Sequence, residues 1–152
     1  MSHFSNVHNF LLDSQKLHSR IAEFYGDLSL NTNDERVKML LSILEKHERT
    51  LVSSVGDYID KACTNVLDTY IQFDRETSVE HLFNTDSISN PISSDDVEVI
   101  AHCFDQYLSE LYAGMSEAIE SDKVQQLFDN LRQQMDQEKK RLSVDINSMK
   151  DM

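Results

Sequence analysis

Ile21-Ala22-Glu23-Phe24-Tyr25-Gly26-Asp27-Leu28 is answered 87 residues later, without a gap, by Leu108-Ser109-Glu110-Leu111-Tyr112-Ala113-Gly114-Met115. The register persists downstream, with Glu35-Arg36-Val37, Leu40-Leu41 and Leu44 falling against Asp122-Lys123-Val124, Leu127-Phe128 and Leu131. Each copy reads as a helix, a short turn and a second helix, with one apolar stripe to bury. Two helical hairpins that bury their stripes against each other make a four-helix bundle.

Working outward, the first helix is expected over about Ser5 to Leu30. Val7, Phe10, Leu11, Leu17, Ile21, Phe24, Tyr25 and Leu28 recur at steps of three and four, the helical period. The stretch Asn31-Thr32-Asn33-Asp34 supplies a turn, and Thr32-x-x-Glu35 reads as a capping box for the second helix. Val37, Leu40, Leu41, Leu44, Leu51, Val52, Val55 and Ile59 form that helix's stripe. It is expected to continue, bent near Gly56, through Val66, Leu67, Tyr70, Ile71 and Phe73.

The pattern then fails. Thr85-Asp86-Ser87-Ile88-Ser89-Asn90-Pro91 is turn chemistry inside a long connection, with a short helical turn expected over Val79 to Phe83. Ser93 or Ser94 caps a third helix whose stripe is Val97, Ile100, Ala101, Phe104, Leu108, Leu111, Tyr112 and Met115. Ser121-Asp122 opens a fourth helix, with Val124, Leu127, Phe128, Leu131, Met135 and Leu142 apolar and Lys139, Lys140 and Arg141 near its far end. The expected organisation is one all-α domain over 1–152: hairpin one about 5–73, a crossover over 74–94 and hairpin two about 95–148.

A net charge of −13 argues against nucleic acid and against an anionic membrane surface, both of which ask for a basic face. No stretch approaches the roughly 18 consecutive apolar residues of a membrane span. Met1-Ser2-His3-Phe4-Ser5 lacks the basic and apolar regions of a secretion signal, so a cytoplasmic location is expected. Cys63 and Cys103 form neither a disulfide scaffold nor a zinc motif, and read as ordinary buried thiols. Between Arg75 and Lys123 there is no Lys or Arg, while acidic residues recur from Glu76 to Asp122. That stretch reads as a solvated face, or as a surface on the third helix for a basic protein partner.

Four polar residues interrupt the apolar stripes. His18 lies seven residues before Tyr25, and Asp105 seven before Tyr112, so each shares a face with its tyrosine. Glu48 sits between Leu44 and Leu51, and Glu138 between Leu131 and Leu142. By the repeat, the four belong at about one height in the bundle.

Repeat halves joined by a long crossover resemble the ferritin-like fold, and the polar pattern is similar to rubrerythrin and other di-metal carboxylate proteins of that superfamily. The resemblance implies an up-down four-helix bundle and, in active members, a dinuclear iron or manganese site. In that family the first and third helices each give a Glu, and the second and fourth each give Glu-x-x-His. Carried across, the slots become His18, Glu48-Arg49-Thr50-Leu51, Asp105 and Met135-Asp136-Gln137-Glu138. Leu51 and Met135 cannot bind a hard cation, and only Glu48 matches by identity. The resemblance therefore implies a degenerate site.

His18, Glu48, Asp105 and Glu138 either hold one divalent transition metal (Fe, Mn or Zn) or pair among themselves, with His18 as a cation between Asp105 and Glu138. Tyr25, Tyr112 and His47 stand beside them as supporting groups, with His47 read as partly exposed. Glu23 and Glu110 face away from the tyrosines and read as solvated. No phosphate loop, nucleophile elbow or zinc-protease helix is present in the sequence. The functional expectation is a non-catalytic interaction or regulatory protein, with a metal-binding protein or rubrerythrin-like oxidoreductase as the alternative. A homodimer is expected because Tyr70, Ile71 and Phe73 have no obvious place inside four helices.

Overall fold

Hydrophobic residues spaced at three and four make this chain mostly helical. The computed structural model describes residues 2–74, 79–84, 91–118 and 121–151. Four long helices carry the fold: α1 (Val7–Leu30), α2 (Glu35–Lys61), α4 (Ser94–Ala118) and α5 (Asp122–Lys150). A single turn, α3 (Thr64–Leu67), follows α2, and a 3₁₀ turn spans Val79–Phe83 as expected.

The chain opens as strand rather than helix. Ser2–Asn6 (β1) pairs antiparallel with Tyr70–Asp74 (β2), Ser2 opposite Asp74 and Asn6 opposite Tyr70. This corrects two expectations, the start of the first helix near Ser5 and the run of the second to Phe73. Ala62 leaves α2 in an extended conformation (φ −69°, ψ 143°), and Thr69-Tyr70-Ile71-Gln72-Phe73 is rich in the β-branched and aromatic residues that suit a pleated strand. Ile71 is buried under this ribbon while Tyr70 is 80% exposed, so Ile71 has the place in the core that four helices alone denied it. Gly56 produces no break, since α2 runs through it to Lys61.

Caps fix the helix starts. The Asn6 side chain accepts from the Asn9 amide at 2.8 Å and holds α1 where β1 ends. Asp34, not Thr32, caps α2, accepting from the Arg36 and Val37 amides; Thr32 is spent on the turn, accepting from the Asp34 amide at 3.2 Å. At α4, Ser93 Oγ accepts from the Asp96 amide and Asp96 accepts from the Ser93 amide, both at 3.1 Å. This reciprocal pair satisfies two donors that would otherwise face only water. Past Arg141, α5 extends to Lys150, whose ammonium bonds Glu98 on α4 at 2.7 Å.

The core lies among the four long helices: α1 packs on α2, α4 on α5, and α2 on both α4 and α5. Aromatic rings lock across it edge to face, Phe10 with Phe128 at 5.4 Å, Phe10 with Tyr112 at 6.3 Å and Tyr25 with Phe104 at 5.8 Å. Such pairs add about 0.5–1.5 kcal/mol each beyond the area they bury. The connecting turn is tied down from outside: Phe83 packs edge-on against Phe24 and tilted against Phe104, while Arg20 lies 3.9 Å over the Phe83 ring and grips Glu80 through two 2.8 Å bonds. Among the described residues, no helix is long and apolar enough to cross a membrane. Cys63 and Cys103, expected to be buried, are both exposed, because one follows the end of α2 and the other lies off the apolar stripe of α4.

Candidate metal centre

His18 is fully buried on α1, two turns before Tyr25, and Glu48 meets it from α2. His18 Nδ1 lies 2.7 Å from Glu48 Oε2, and its Nε2 lies 3.3 Å from the Tyr112 hydroxyl of α4. With the proton on Nδ1, the ring donates to the Glu48 carboxylate and accepts the Tyr112 proton at Nε2. The rings of His18 and Tyr112 also lie nearly parallel, 13° apart. His18 is thus not held between Asp105 and Glu138. Its partners are Glu48 and Tyr112, because α1 lies directly against α2.

One residue back, His47 is buried as well, at 8% exposure, against the expectation of a partly exposed ring. Ligand atoms of His47, Glu48 and Asp105 all lie within 4.8 Å of one another. Two atoms each about 2.1 Å from one ion stand at most about 4.2 Å apart, so shifts of less than about 1 Å would close this trio on a single cation. Glu48 brings one oxygen already braced by His18, the arrangement by which a neighbour orients a ligand. No hydrogen bond to His47 or Asp105 side chains competes among the described residues.

Asp105 stands half-buried on α4, at the inner wall of a groove of about 550 Å³ shared with His102, Lys139 and Lys140. Burial holds its carboxyl above the ordinary range; His47 opposes that rise, Glu48 adds to it, and Lys139 and His102 oppose it from the groove. The two tyrosines register the same charges. Burial raises Tyr25 well above its usual value, and Glu48 and Asp105 raise it further. Burial also raises Tyr112, against a hydrogen bond with Ser14 and with the help of Glu48. Both phenols therefore stay protonated, and the Tyr112 hydroxyl stands within hydrogen-bond distance of the His18 ring.

Glu138 comes close but does not join the trio. It is buried on α5, accepts from Arg141 at 2.9 Å, and shares with His47 a cleft of about 180 Å³. Leu51 and Met135, at the two imidazole positions of the resembled family, sit in or against the apolar core. The structure thus brings His18, Glu48 and Asp105 toward one centre, leaves Glu138 on its flank, and promotes His47. A signal for His47 was present in the sequence. Leu40, Leu44, His47, Leu51 and Ser54 follow one another at steps of four and three, which places the ring on the buried stripe of α2. No family model matches this chain, and no curated protein or solved structure matches it either.

Proposed function

We propose that this chain is a non-catalytic, ferritin-like four-helix bundle, built of two repeated hairpins and a long crossover, that holds one divalent transition-metal ion. His47, Glu48 and Asp105 are its ligands, His18 braces Glu48, and Tyr25 and Tyr112 close the centre from inside. One observation carries the reading: an imidazole and two carboxylates from α2 and α4 converge within 4.8 Å, and their hydrogen-bond brace is already formed. Three protein ligands leave positions for water, as an open single-metal site requires. A bound ion would tie α2 to α4 and so report on an interaction, the regulatory role proposed for a protein of the cytoplasm. A paired redox centre is disfavoured because Leu51 and Met135 give no ligand and Glu138 is engaged by Arg141.

Metal analysis tests this directly on protein purified without chelator and offered zinc, manganese and ferrous iron in turn. About one ion per chain is expected, lost in His47→Ala and Asp105→Asn, with the loaded protein melting higher by mass action. Loading below about a tenth of an equivalent, or unchanged in His47→Ala, overturns the reading. The self-satisfying His18–Glu48 bond favours a second reading, in which the polar centre is structural and no ion enters. In that case chelator leaves the melting temperature where it was. We also propose a homodimer and a basic partner on the acidic α4, read out by sedimentation and by salt-dependent pull-down.

A further inference from the structure

A second concavity lies away from the metal centre, between the end of α2 and the beginning of α5. It measures about 610 Å³, within the roughly 300–1,000 Å³ of small-molecule sites. Its floor is apolar, formed by Val66 and Leu127, both buried. Its rim is not. Lys61 stands on the α2 wall and Lys123 on the α5 wall, and neither forms an ion pair among the described residues. In a chain with 27 acidic and 14 basic residues, two lysines facing one groove without a carboxylate partner run against the charge balance. Among its described lining residues, Asp57 is the single acid.

The α5 wall adds exposed side-chain amides. Gln126 and Asn130 lie four residues apart, on one face, and open into the groove. Gln134, one turn further, donates to Ser54 Oγ at 2.7 Å and closes the inner end. An apolar floor, two unpaired ammonium groups and free amide donors together select a ligand with a hydrocarbon body and one anionic head.

We infer that this groove is a binding site for a small amphipathic anion, a medium-chain carboxylate or a similar acid, with its chain on Val66 and Leu127 and its head between Lys61 and Lys123. This site does not depend on the metal centre. Cys63 lines the mouth of the groove and is exposed, whereas Cys103 lies on α4 outside it. The two thiols therefore give a built-in probe and control.

The experiment measures alkylation of each cysteine by iodoacetamide, resolved by mass spectrometry, on the full chain with decanoate, decanol or inorganic phosphate. Decanoate should slow modification of Cys63 saturably and leave Cys103 untouched, with decanol and phosphate at least about tenfold less effective. Lys61→Gln/Lys123→Gln should weaken the decanoate effect about tenfold, the loss of two partly exposed charge contacts. Lys16→Gln/Lys38→Gln, which removes the same charge elsewhere, should leave it unchanged. All four lysines lie outside the buried core, so circular dichroism should show folded protein throughout. The inference is overturned by absent or equal protection of the two thiols, by decanol acting as well as decanoate, or by a Lys61/Lys123 variant that behaves as the parent.

Discussion

Replacing His18 by alanine should be among the most damaging single changes in this protein. The ring is wholly buried and Glu48 is 1% exposed, so the substitution strands a carboxylate with no route to water and removes a partner of the Tyr112 hydroxyl. Breaking a buried pair from one side costs about 3–5 kcal/mol, and the void left by the imidazole adds to it. In a chain of 152 residues each kcal/mol moves the melting midpoint by about 2–4 °C, which gives a fall of about 6–20 °C. Urea unfolding followed by circular dichroism, with EDTA present so that no ion contributes, reads the same loss as a lower midpoint. Because the penalty belongs to the stranded charge, His18→Leu/Glu48→Leu should recover to within about 1–2 kcal/mol of the parent. A loss below about 1 kcal/mol for His18→Ala, the size of an exposed pair, would refute the reasoning.

Other perturbations give smaller, directional effects. Asp105 has its folded-state pKa raised, mainly by burial, so the folded protein binds that proton more tightly than the unfolded chain and stability falls as pH rises from the ordinary carboxyl range through the raised value. Asp105→Asn should therefore raise the melting temperature of the metal-free protein at neutral pH and flatten its pH dependence across that window, in thermal scans between acid and neutral pH. Gly114 lies inside α4 and a methyl group added there meets nothing within 4 Å, so Gly114→Ala should stabilise by about 1 kcal/mol, measurable by urea unfolding. Arg20→Ala removes both bonds to Glu80 and the contact over Phe83; limited proteolysis should cut faster near Val79–Phe83 while the melting temperature scarcely changes.

The long helices were legible because their apolar stripes keep the helical period over about five or six turns, a signal that no local ambiguity can cancel. Residues 62–74 were not, and the reason is local. Val66, Leu67, Tyr70 and Ile71 continue the spacing of α2, yet β-branched and aromatic residues also fit a strand, and the choice went to β2 because Ser2–Asn6 offered it a ladder from 64 or more residues away. Periodicity along one helix carries no information on such a partner. The site divides in the same manner. His18, Glu48, Asp105 and Glu138 could be found as polar breaks in a stripe, but whether Glu138 turns toward the centre or toward Arg141 is settled by a side chain one turn away on its own helix. His47 shares the stripe with its neighbour: two adjacent residues cannot both sit at the middle of a helix face, yet the stripe of α2 is wide enough to bury both.

The charge balance of that centre bears on how many ions it suits. As ligands, Glu48 and Asp105 would bring two negative charges and His47, binding through an imidazole lone pair, none, so one divalent ion would leave the centre close to neutral. Neutrality matters because Glu48 is almost fully enclosed and an uncompensated charge there is costly. A second divalent ion would leave two positive charges unmatched. Even if Glu138 gave up Arg141, one would remain, and the positions that supply imidazoles in the resembled family are Leu51 and Met135 here. A glutamate at the first-helix position would supply the missing charge, but residue 18 is a histidine, and that ring is already committed at both nitrogens. A histidine at residue 18 therefore does two things at once. It offers no charge for a second ion, and it fixes the orientation of the Glu48 carboxylate.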